Sequence, residues 1–177
     1  MVRPIRDELA TDFVRLLFEG KNVKIEDAHI THILRLVGPP IPYFVQIMVD
    51  KISEENQYYG KPLTPELIDR VYRDSLLGTA AKTDFQHYYS RLKEYYLQDE
   101  IAARELLKTL ARAGSVSHEG LYNQYVSIVG NSAEKDAFCR LLATLENDFY
   151  IVRQDETGEY CFLCPPLKDW WLRYYGF

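Results

Sequence analysis

Phe149-Tyr-Ile-Val-Arg-Gln-Asp-Glu-Thr-Gly-Glu-Tyr-Cys-Phe-Leu-Cys164 differs in period from everything before it. Phe149 and Ile151, then Tyr160, Phe162 and Cys164, put apolar side chains at every second position, the alternation of a strand with one buried face. Asp155-Glu-Thr-Gly158 lies between them as a turn, with glycine where positive φ is needed. The segment predicts a β-hairpin. Upstream, Ile101, Leu106, Leu107 and Leu110 mark a helix ending at Gly114. Ser115 or Ser117 caps a second helix with Leu121, Tyr122, Tyr125 and Ile128, stopped by Gly130. Phe138, Leu141, Leu142 and Leu145 make a third. Three helices followed by a hairpin is the order of a winged helix-turn-helix.

The first half is helical throughout. Ile5, Leu9, Phe13, Leu16 and Leu17 are spaced as the buried stripe of a helix that ends at Gly20. Asp27 opens a second, with Ile30, Ile33, Leu34 and Val37 inward. Gly38-Pro-Pro-Ile-Pro42 breaks it, because proline has no amide donor and restricts the residue before it. Tyr43, Phe44, Ile47, Met48, Lys51 and Ile52 resume the period in a helix apolar around most of its circumference, which predicts a central position. Residues 53–62 read as a loop, and Thr64-Pro-Glu66 as a capped helix start continuing to Ser75. Residues 78–82 read as a hinge. Phe85, Tyr88, Tyr89, Leu92 and Tyr96 form an aromatic ridge expected to pack on the preceding helices, with a domain boundary near residue 97.

Composition narrows the classes. The chain has 177 residues, 47% hydrophobic and 27% charged, with net charge -5. This is a folded protein whose acidity argues against a dedicated nucleic-acid neutraliser. The longest uncharged stretch, Leu36 to Val49, contains three prolines and a glutamine and falls short of the about 20 apolar residues a membrane span needs. The N-terminus lacks the apolar core of a secretory signal, and three clustered cysteines make no disulfide framework. The expectation is a cytoplasmic protein without membrane contact.

Two stretches resemble a known family. Leu36-Val-Gly-Pro-Pro-Ile-Pro-Tyr-Phe-Val-Gln46 resembles the Gly-x-Pro-type motif in the helical lid of archaeal-type P-loop ATPases of the AAA+/STAND class. Leu145-Glu-Asn-Asp-Phe-Tyr-Ile151, the hairpin, and Pro165-Pro-Leu-Lys-Asp-Trp-Trp-Leu-Arg173 resemble the winged-helix end of the same proteins. The resemblance implies a mainly α fold: a helical lid-like subdomain over 1–97, then a winged helix-turn-helix with its C-terminal hairpin over 98–177. It also implies that Gly38, Pro39, Pro42 and Tyr43 lie on the adenine side of a nucleotide held by a complete ATPase core. The additional Pro40-Ile41 departs from the shortest form of the motif, and a rigid break between packed helices is the alternative role. The sequence contains no Gly-x-x-x-x-Gly-Lys-Ser/Thr loop and no apolar strand ending in paired acids. The expectation is therefore no catalysis and no cofactor in this chain. ATP or ADP with magnesium belongs to a complete parent protein, whose P-loop core is the expected partner.

Other constellations are weaker. Cys161-Phe-Leu-Cys164 has zinc or redox spacing, but no second pair exists, and Pro165-Pro166 argues against a helix start that would lower a thiol pKa. Glu26, His29 and His32 share a helical face without partners for a metal bundle. His87 and His118 have no triad partners at telling distance. A DNA-binding regulator is the rival reading, yet residues 131–177 hold five basic and eight acidic side chains. A further rival is an interaction or self-association module, with one of Trp170 and Trp171 in the core and the other turned outward as a contact.

Overall fold

The computed structural model describes residues 6–78 and 82–175, which fall into two units, Met1–Thr83 and Asp84–Phe177. Ile5 and most of the expected hinge lie outside the described residues.

In the first unit, α1 (Asp7–Gly20) packs on α2 (Asp27–Val37) and on α3 (Pro42–Gln57). α4 (Pro65–Val71) follows and widens into a π-helical turn over Tyr72–Leu76. α3 touches all the other helices of the unit, the central position its sequence predicts. It is not buried all round, however. Phe44, Val45, Met48, Val49 and Ile52 are covered, while Tyr43, Asp50 and Lys51 are exposed. α3 also runs on to Gln57, through residues the sequence reads as loop, because Ile52 and Ser53 continue its buried face. Thr64 caps α4 as expected, its Oγ1 accepting from the Leu67 amide at 3.2 Å.

The stripe of α1 is rotated from the expected one. Ala10, Val14 and Phe18 face the core, whereas Leu9 and Leu16 are 55% and 64% exposed. Apolar residues cover more than half of this helix, so spacing alone does not choose the face; the small Ala10 permits close approach.

The second unit opens with α5 (Lys82–Tyr95), whose aromatic face forms as expected but meets rings C-terminal to it. Phe85 stacks on Trp170 with centroids 5.4 Å apart, and Tyr88 meets Tyr150 edge-on at 5.9 Å. The two units divide between Thr83 and Asp84, in the first turn of α5. A turn over Leu97–Asp99 leads into α6 (Glu100–Ala113), β1 (Ser115–Val116), α7 (His118–Val129) and α8 (Lys135–Asn147). The hairpin β2 (Ile151–Arg153) and β3 (Tyr160–Phe162) turns through Gly158 at φ 70°. α9 (Pro165–Tyr175) closes the unit. β1 adds a third antiparallel strand, in the order β1-β3-β2, with Ser115 opposite Cys161. Two residues are too short to leave a period in the sequence. The fold is mainly α with a C-terminal hairpin, and its second unit has the element order of a winged helix-turn-helix.

A polar cluster ties α5 to the loop after α8. The Tyr96 hydroxyl donates to Asp148 at 2.9 Å, Arg91 donates to the same carboxylate at 3.2 Å, and the Tyr150 hydroxyl donates to the Tyr88 carbonyl at 2.5 Å. Burial first, then the bond to Asp148, pushes the Tyr96 hydroxyl well above the usual tyrosine range; burial does the same to Tyr150. Both folded pKa values are raised, so the stabilisation is whole below the unfolded pKa of about 10 and declines as pH rises past it. Unfolding must then release protons, and stability is expected to fall by about 1.4 kcal/mol per pH unit for each of the two tyrosines. Urea midpoints measured between pH 9 and 11 check this, and Tyr150→Phe should flatten the decline.

Candidate functional site

The Gly38–Pro42 break forms where α2 ends. Gly38 takes φ 66° and ψ -139°, backbone that side-chain-bearing residues avoid, while its amide still donates to the Leu34 carbonyl at 2.9 Å. The Ile41 amide then donates to the Pro39 carbonyl at 2.8 Å, which tightens the turn over Pro40. Pro42 enters α3 in its first turn, where a missing amide costs nothing. The result is a stiff turn with few free torsions.

This turn forms one wall of an apolar cleft of about 380 Å³, lined by Ala10, Leu34, Gly38, Pro39 and Pro40. The structure thus brings Gly38 and Pro39 together at one cavity. Pro42 and Tyr43 do not line it. Tyr43 is 38% exposed and lies edge-on to Phe44, with centroids 5.6 Å apart. Ala10 and Leu34 belong to the cleft and carry no motif; only the packing of α1 against α2 brings them there. Among the described residues no lysine or arginine lines the cleft, which offers an apolar contact and no grip on phosphate.

His32 joins two helices. His32 Nε2 lies 2.7 Å from Asp69 Oδ1, and its Nδ1 lies 2.8 Å from Arg35. Arginine can only donate, so Nδ1 accepts and the Nε2 proton goes to Asp69. The Nε2 contact with Asp69 pins α2 to α4, while Arg35, one turn along α2, occupies Nδ1. Glu26 and His29 do not join His32 in a ligand set, and among the described residues no group of three or more histidine, cysteine or acidic side chains converges as a metal site. His118 packs against Phe138 at 5.1 Å, and His87 is exposed.

Cys164 corrects one expectation. α9 begins at the very next residue, with Pro165 and Pro166 filling its first turn, so this thiol does stand at a helix start. Burial nevertheless dominates the bond from the Leu167 amide and pushes the thiol up to about 12. Cys161 is also raised by burial, whereas Cys139 is exposed. Thiol labelling of the folded chain at pH 8 should therefore proceed quickly at Cys139 alone, with Cys164 reacting only after denaturation. A Cys139→Ser variant that still labels rapidly would contradict this.

Trp170 and Trp171 are both buried, at 0% and 1% exposure. The expectation of one outward tryptophan fails because α5 supplies Phe85 and Tyr89 to cover both indoles. Neither forms a surface. The apolar exposure lies elsewhere, at Leu9 and Leu16 on α1 and at Tyr95, Leu97 and Ile101 in the second unit.

No protein-family model matches the chain, and no curated protein matches it. Among solved structures, the fold is similar to that of a Walker-type ATPase of Pyrococcus abyssi, with a TM-score of 0.60 and 15% sequence identity. The match covers 94% of this chain and 42% of that one, so the chain spans less than half the length of its structural neighbour. At that identity the likeness is one of fold.

Proposed function

We infer that the chain is a non-catalytic regulatory region of a P-loop ATPase of the AAA+/STAND kind. Its first unit closes over nucleotide held by a core that this sequence does not contain, and its second unit, a winged helix, relays nucleotide state. The observation that carries this reading is the fold match running through both units while leaving over half of the ATPase unmatched. Two features of the first unit support it. The Gly38 cleft is apolar and rigid, and none of its described lining residues is cationic, which suits the face of a base held elsewhere by its phosphates. Leu9, Phe13 and Leu16 recur along one side of α1, two of them exposed, as a face awaiting another body would be. The charge of the second unit disfavours the DNA-binding alternative, since the hairpin tip carries exposed Asp155 and Glu156.

The test uses the chain alone with ATP and magnesium. No turnover above background is expected, and ATP should bind with a Kd of about 1 mM or weaker, equivalent to about 4 kcal/mol. The amide resonances of Ala10, Leu34 and Gly38 are the ones expected to move. Magnesium-dependent hydrolysis, or micromolar ATP binding, would overturn the reading.

A further inference from the structure

A second cavity lies in the other unit. The start of α6, the end of α7 and the start of α8 enclose a groove of about 510 Å³. Its lining is mixed: Ala102, Tyr125, Ile128, Val129 and Ala137 are apolar, and Gln98 and Ser132 stand among them. Ile101 is one of its lining residues and is 68% exposed, and Leu97, four residues earlier in the chain, is 74% exposed. Leu97 takes φ 45°, a left-handed conformation that a leucine rarely adopts. The backbone is thus held in an unfavourable region at the residue that presents the most exposed leucine of the unit.

Charge says what covers them. Asp99 and Glu134 line the groove, and neither has an ion-pair partner among the described residues. Both act on the Tyr125 hydroxyl, which burial first and then these two carboxylates hold above its ordinary range, with Arg140 opposing. Two acids against one base leave the groove net negative. A second copy docked through the same patch would bring these carboxylates near their own symmetry mates, and nucleic acid would bring phosphate against them. A cationic partner meets neither penalty. A groove between helices with apolar residues in its lining is the kind of site that takes the apolar face of an amphipathic helix.

We propose that the α6–α7–α8 groove, with Ile101 at its rim and Asp99 and Glu134 as its charged guides, binds a lysine- or arginine-bearing amphipathic helix of a partner protein. This goes beyond the ATPase reading and does not depend on it, since it concerns the other unit and rests on the groove alone. Ile101 buries against the helix's apolar face, and the two carboxylates fix its polarity and speed its docking.

The experiment titrates the isotope-labelled full chain with a synthetic amphipathic peptide of leucine and lysine, and with its counterpart carrying glutamate for lysine. The lysine peptide should saturably shift the amides of Ala102, Ile128, Val129 and Ala137, and bind at least about tenfold more tightly than the glutamate peptide. Asp99→Asn with Glu134→Gln should weaken the lysine peptide by about tenfold at low salt and flatten its salt dependence. Ile101→Glu, at an exposed position that leaves the fold intact, should abolish binding. Equal binding of the two peptides, shifts outside the groove, or indifference to the double amide variant would overturn the proposal. So would a peptide-free dimer that Ile101→Glu dissociates, or duplex DNA moving the same resonances. The ATP titration reads amides of the first unit, so failure of either idea is seen separately.

Discussion

Replacing Trp170 by alanine is expected to cost the second unit about 3–5 kcal/mol, the range for truncating a large buried aromatic. Its indole is fully covered, stacks on Phe85, and meets Trp171, Tyr174 and Tyr175 at centroid distances of 6.2, 5.5 and 5.3 Å. Domains commonly hold about 5–15 kcal/mol in total, so this variant should lie near the edge of unfolding at 25 °C. Urea titration followed by the fluorescence of the remaining Trp171 checks it. Trp170→Phe should cost far less than the alanine change. Among the described residues the buried Trp170 indole N–H has no hydrogen-bond partner, and phenylalanine removes that donor along with some volume. Leu172→Ala, at a 37% exposed position of the same helix, serves as the control and should stay within about 0.5 kcal/mol of wild type. Were Trp170 a partner contact and not a core residue, the alanine variant would lose association and keep its stability.

The second large effect is expected at Gly78. A methyl group there would lie 1.9 Å from the Asp74 carbonyl oxygen and 2.9 Å from the Asp74 carbonyl carbon. Both are backbone atoms closing the π-helical turn, so no side-chain rotation relieves the clash. Gly78→Ala should therefore cost the first unit about 3 kcal/mol, the upper end for overpacking. It should lower helical signal and the urea midpoint of that unit, with little change in tryptophan fluorescence, since both tryptophans belong to the other unit. Gly20→Ala makes the contrast. It ends α1 with nothing within 4 Å of the added methyl, so alanine should stabilise by about 0.5–1 kcal/mol through lower chain entropy. Equal losses at the two glycines would show that the Asp74 contact is not the cause.

What could be read from the residues depended on how far apart the interacting partners lie. The hairpin, the Gly38–Pro42 break, the Thr64 cap and the aromatic face of α5 are local patterns, in which a period or a missing amide acts within a few residues. All four stand in the structure. Gly38 and Pro39 were visible for the same reason, as residues that dictate their own backbone. The covered face of α1, the burial of both tryptophans, the pairing of β1 and the bond from His32 to Asp69 were not. Each depends on a surface brought from far along the chain: α2 and α3 for α1, α5 for the tryptophans, β3 for β1, and α4 for His32. Periodicity shows that a helix has an apolar side; the shape of its neighbour selects which residues on that side lose contact with water. For the same reason, Ala10 and Leu34 have no mark in the sequence as walls of a cleft, and Leu97 and Ile101 could not be told from core residues until the fold left them outside.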